Sequence, residues 1–86
     1  MQITVRKPTP AERDRMLAQP TWECPVSKFD WHYDEQETCL LVAGRVTVTY
    51  EGGSVSFGPG DCVTLPQGLS CVWDVSEPVK KHYIFG

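Results

Sequence analysis

The segment Gly60-Asp61-Cys62-Val63-Thr64-Leu65-Pro66-Gln67-Gly68-Leu69-Ser70-Cys71-Val72-Trp73 decides the fold. Two short β-prone runs, Cys62 to Leu65 and Leu69 to Trp73, are parted by Pro66-Gln67-Gly68. There proline pre-sets φ and glycine supplies positive φ, so the chain turns. Gly60 marks a sharp turn before them, and the Asp61 side-chain oxygen is placed to cap it. The same grammar extends upstream. Val55-Ser56-Phe57 follows a Glu51-Gly52-Gly53-Ser54 hairpin turn, and Arg45 to Tyr50 alternates strictly, with Val46, Val48 and Tyr50 on one face. Glu37-Thr38-Cys39-Leu40-Leu41-Val42-Ala43 is a nearly continuous apolar run closed by Gly44, as in a strand buried on both faces. Phe29-Asp30-Trp31-His32-Tyr33 alternates aromatic and polar residues. Downstream, Ser76-Glu77-Pro78 is expected to turn before a last strand from Val79 to Phe85.

Short strands with turn signals about every 8–12 residues describe a sandwich or a barrel. A barrel is favoured, because closure removes edges that so small a sheet could hardly cover. Residues 1–21 read differently. Thr9 and Pro10 open a short capped helix over Ala11 to Ala18, and Pro20 stops it. The expected organisation is one all-β domain: a segment 1–21 with a short helix, packed on a barrel formed by residues 22–86.

The 86 residues are 41% hydrophobic and 22% charged, with net charge −3. Nucleic acid is not expected as a partner, since phosphate backbones need a basic patch and only Arg6-Lys7 and Lys80-Lys81 adjoin. No apolar run approaches the roughly 20 residues of a membrane span, so no membrane partner is expected. The N-terminus lacks the charged start and apolar stretch of a signal peptide, and a cytoplasmic protein is expected. Cys24, Cys39, Cys62 and Cys71 form no C-x-x-C pair. In a reducing compartment they are expected as free thiols, packed or lining a pocket.

Six pieces in order carry a family resemblance: Phe29-Asp30-Trp31, Glu37-Thr38-Cys39, Gly60-Asp61, Pro66-Gln67-Gly68, Cys71-Val72-Trp73 and Glu77-Pro78-Val79-Lys80-Lys81-His82-Tyr83. Spanning Trp22 to Tyr83, they resemble the cupin superfamily, and within it the small single-domain cupins grouped with ureidoglycine aminohydrolase. The resemblance implies a jelly-roll barrel with an interior pocket. Metal-binding cupins use His-x-His, a carboxylate and a later His. Here the carboxylate position is Glu37 and the later His position is Cys71. A four-residue spacing before Glu37 gives an alternative divalent-metal set of Asp30, His32, Glu37 and Cys71. A three-residue spacing puts Trp31 and Tyr33 there instead, and neither suits such a metal.

Alternation places Phe29, Trp31 and Tyr33 on one face and Asp30, His32 and Asp34 on the other. Aromatics are expected inward and acids outward, which favours a pocket without a metal. That pocket would hold Trp31, Tyr33, Glu37, Cys39, Cys71 and Trp73, and would suit a small ligand with a cationic or donor group. Glu37 is the candidate acid–base residue, against a purely structural hydrogen-bonding role. Cys71 is a candidate nucleophile, although neither histidine can be set beside it. Lys81 turned inward toward Glu37 is the alternative to a solvated Lys80-Lys81 pair. Three functions follow in order: a metal-free small-molecule-binding cupin, a metal-dependent hydrolase or dioxygenase, and a structural or regulatory homodimer. The last would pair through Leu40, Val42 and the N-terminal segment.

Overall fold

The computed structural model describes all residues, Met1 to Gly86. Its strands are β1 (Thr4–Arg6), β2 (Thr21–Cys24), β3 (Ser27–His32), β4 (Glu37–Tyr50), β5 (Gly53–Phe57), β6 (Cys62–Leu65) and β7 (Ser70–Phe85). One helix, α1 (Pro10–Leu17), lies between β1 and β2. All pairings are antiparallel, in the path β1-β6-β4-β7-β2, with β3 added to β7 and β5 to β4. The two long strands run through both halves of a jelly-roll barrel. The first half of β4 pairs with β6 and the second half with β5, while β7 pairs with β3 and then β2.

This continuity differs from the expected organisation at two points. Gly44 does not end a strand, and Ser76-Glu77-Pro78 is not a turn, because β4 and β7 pass through both. The register between them shifts at Leu41/Ala43, Ala43/Arg45 and Arg45/Val46 instead. A bulge bends a strand without ending it, and tolerates a proline that a regular ladder excludes. Gly44, at φ +93°, is the pivot. A Cβ there would overlap the Pro78 carbonyl and lie 2.6 Å from Val79 Cα. The bulge also changes parity. Glu37, Cys39 and Leu41 are buried before it, whereas Val46 and Val48 are buried after it. A single extra residue moves side chains to the opposite face, so both halves of β4 face the core only because of the bend.

The interior cluster includes Leu41, Val46, Val48, Phe57, Val63, Leu65, Trp73 and Val75. Thr9 caps α1 through a capping box with Glu12, and Pro10 opens its first turn. The helix contacts β4 and β7 and buries Met16. Leu40 and Cys62 are buried too, yet stand outside the interior cluster, on the side facing α1. Leu40 is therefore covered within the protomer and is not an exposed pairing surface, unlike Val42. The N-terminal segment also contributes a strand that its sequence did not announce, with Val5 of β1 opposite Val63 of β6. Asp61 caps the Gly58–Gly60 turn by accepting from the Gly58 N–H at 2.9 Å, and Lys7 holds it at 2.7 Å. Burial pushes the Asp61 carboxyl up, but these two donors outweigh it and leave it below the ordinary range. No helix is long and apolar enough to cross a membrane.

Candidate functional site

Glu37 begins β4 facing inward, and its carboxylate is 2% exposed. A buried carboxylate must be paired and hydrogen-bonded. The Tyr33 hydroxyl donates to Oε1 at 2.7 Å, and Lys81 Nζ donates to Oε2 at 2.7 Å. Tyr33 is held just beyond β3, where its N–H donates to the Leu69 carbonyl and its own carbonyl accepts from Gly68. Burial first, and then the Glu37 charge, push the Tyr33 phenol far above its ordinary value, so it remains a donor. Lys81 enters from β7, directly opposite Trp22 of β2. Its ammonium sits 4.8 Å from the Trp22 ring centroid and 4.4 Å from that of Trp73. Aromatic faces attract a cation, and more strongly where water is excluded.

These groups form the floor of a cavity of about 250 Å³. Trp22, Phe29 and Trp73 make one wall; Phe29 and Trp73 stack at 6.3 Å, and Trp22 meets both edge-on. Trp31, Tyr83 and Phe85 complete the lining. Trp31 is 50% and Phe85 45% exposed, which sets them at the rim. All three tryptophans of the chain line this one cavity.

The structure thus brings Glu37, Tyr33, Trp31, Trp73 and Lys81 together. It does not bring the two thiols with them. Cys39 is fully buried, one inward position deeper than Glu37 on β4, and it packs in the core without reaching the cavity. Burial is the main force pushing its thiol up to about 12. Cys71 lies between Trp31 of β3 and Tyr50 of β4. It borders a separate shallow groove with Asp30, His32, Thr49 and Ser70. Burial raises its thiol as well, which works against a thiolate nucleophile. Trp22, Phe29, Tyr83 and Phe85 were not among the expected pocket residues; Phe29 shares a face with Trp31, Tyr83 and Phe85 share one with Lys81, and Trp22 is the cross-strand partner of Lys81.

The alternative metal set does not fit. Asp30 and His32 are exposed on the outer face, while Glu37 and Cys71 are buried. His32 Nδ1 is engaged with Ser70 Oγ at 2.7 Å, and both Glu37 oxygens already accept hydrogen bonds. No group of three or more His, Cys, Asp or Glu residues converges anywhere in the chain.

The model of the EutQ-like cupin domain matches residues 11–83. A solved DUF861-family protein from Thermotoga maritima is 44% identical, with a TM-score of 0.93, over 99% of this chain and 100% of that one. The EutQ protein of Clostridium difficile is 22% identical with a TM-score of 0.70, and the match covers 76% of this chain but 52% of that longer one. A DUF861-family protein from Pseudomonas syringae is 28% identical with a TM-score of 0.69, over 77% of this chain and 29% of that one. No curated protein of described function matches. The barrel, the family match over residues 11–83 and a 44% identical relative covering nearly the whole chain place this chain in the EutQ-like cupin family.

Proposed function

We propose that this barrel is a small-molecule-binding cupin whose ligand enters past Trp31 and Phe85 and comes to rest on the Glu37–Lys81 pair. The observation that carries this is the cavity itself. Seven of its nine lining residues are hydrophobic, and its only charged groups are one buried ion pair at the floor. Apolar walls with a few fixed polar groups are the usual construction of a small-molecule site. The Glu37–Lys81 pair changes the ligand that Glu37 alone would suggest. Its negative charge is already matched, so the pocket has no free anion awaiting a cationic group.

Tryptophan emission reports directly on occupancy, since every tryptophan lines the site. A metabolite-sized library is screened by thermal shift, and hits are titrated by tryptophan fluorescence. Hits are expected to raise the melting temperature by mass action and to perturb the emission. Trp31→Ala, at an exposed rim position, is expected to weaken those hits while leaving the unliganded melting temperature within a few degrees. Hits that bind the variant unchanged and leave the emission untouched would place the ligand elsewhere and sink the proposal, as would a library without hits.

A further inference from the structure

We infer that the cavity selects an uncharged, flat, largely apolar molecule bearing a hydrogen-bond acceptor, which docks against Lys81 Nζ. This rests on the small-molecule reading above and names the ligand class for the same cavity. Size sets the first bound. An apolar protein cavity of about 150 Å³ holds benzene, so one of about 250 Å³ accommodates a single substituted ring or its equivalent. The walls set the second. Phe29 and Trp73 lie only 11° from parallel, with Trp22 edge-on to both, and such π surfaces favour a flat partner over a branched one.

Polarity follows from the hydrogen-bond census. An ammonium has three donors, and Lys81 uses one on Glu37 while no other oxygen meets it. Both Glu37 oxygens are engaged, one by Tyr33 and one by Lys81. The site is therefore richer in free donors than in free acceptors, and its complement is an acceptor. Charge excludes ions of either sign. Glu37 and Lys81 cancel, so an anionic ligand would add an unpaired negative charge beside Glu37. A cationic one would have to share that carboxylate with Lys81, 2.7 Å away. An uncompensated charge in a desolvated site is costly. A carbonyl on an aromatic or similarly flat body meets all of these conditions.

Four probes with a common phenyl ring separate the terms: benzamide, toluene, benzoate and benzylammonium, titrated into the wild-type protein by calorimetry and tryptophan emission at neutral pH. Benzamide is expected to bind at least about tenfold more tightly than each of the others, the least that one hydrogen bond to a charged donor supplies. Toluene equal to benzamide overturns the acceptor while the cavity reading stands. Benzoate or benzylammonium ahead of benzamide overturns neutrality with the same consequence. If none binds at millimolar concentration the inference fails, and the library screen decides whether the cavity reading fails with it. Glu37→Gln frees Lys81 of its partner and is expected to reverse the order, with benzoate gaining at least about tenfold over benzamide. A folded variant in which benzoate gains nothing removes Lys81 as the acceptor's partner. If that variant does not fold, the wild-type panel decides alone.

Discussion

Removing Lys81 should cost this protein far more than removing its net charge suggests, and the loss should be recovered by a second substitution. Lys81→Met retains the apolar stem but leaves the Glu37 carboxylate, 2% exposed, with only the Tyr33 hydroxyl for a partner. Stranding one member of a buried pair costs about 3–5 kcal/mol. Stability at about 0.05–0.15 kcal/mol per residue amounts to roughly 4–13 kcal/mol for 86 residues, so the single variant should be badly weakened. Glu37→Gln should cost less. The stranded ammonium keeps two aromatic faces at 4.4 and 4.8 Å, and a desolvated cation–π contact is worth about 2 kcal/mol. The double variant, Glu37→Gln with Lys81→Met, leaves no buried charge and still offers Tyr33 an amide oxygen. It should lie within about 2 kcal/mol of wild type, because neutral replacements of buried pairs are often close to isoenergetic. Urea unfolding followed by tryptophan emission and far-ultraviolet circular dichroism closes the cycle. Additive single costs, or a Lys81→Met penalty below about 1 kcal/mol, would show that the pair is solvated and the reasoning wrong.

Three further outcomes can be checked independently. Gly44→Ala, with φ +93° and its Cβ forced against Pro78 and Val79 backbone, should lose more than about 2 kcal/mol in urea unfolding. Gly53→Ala, with φ +132° but open space around it, should lose less, and equal losses would remove the bulge as the pivot of the barrel. Glu12 is held down at about 2, first by the Arg6 hydrogen bond and then by the Thr9 backbone N–H. Its contribution is present above its ordinary value of 4.5 and is lost as pH falls through about 2. Glu12→Gln should accordingly lower the melting temperature at neutral pH and match wild type near the bottom of that window; a pH-independent difference would refute the linkage. Finally, Cys24 is part-exposed while Cys39, Cys62 and Cys71 are buried, with thiols pushed up by burial. Native alkylation mapped by peptide mass spectrometry should label Cys24 well before the others, and rapid labelling of Cys71 would restore it as a nucleophile.

The strands and their turns were readable wherever alternation and turn chemistry coincide, as in Arg45 to Tyr50 and around Pro66-Gln67-Gly68. The two long strands were not, because Gly44 and Pro78 carry the composition of turns. Only their mutual contact across the barrel shows that they form a bulge in which two strands bend together. Strand β1 left little trace for a related reason. Its three residues are all exposed on a sheet edge, where no alternation of burial is imposed. At the site, parity was enough to turn Glu37, Tyr33 and Trp73 inward. It could not say how deep along a strand a side chain sits. Cys39 shares the parity of Glu37 yet lies beneath the cavity, and Cys71 shares that of Trp73 yet borders another groove. Lys81 was ambiguous because adjacent Lys80 has the same chemistry and opposite parity. The choice depends on Glu37 in a strand more than forty positions earlier.

A buried Lys–Glu pair is a poor device for holding a small barrel together. Its desolvation offsets most of its attraction, and well-packed apolar side chains of similar volume do as well or better. So short a chain buries a limited core, and two inward positions given to charges are two not given to hydrocarbon. Stability alone is thus a weak account of Glu37 and Lys81, and the recognition role proposed above is the alternative: a pair that fixes a donor at the floor of an apolar cavity while keeping the site neutral. The two accounts part at the double variant. A neutral double variant as stable as wild type that no longer prefers benzamide to toluene assigns the pair to ligand selection. One that loses stability while keeping that preference assigns it to the architecture of the barrel.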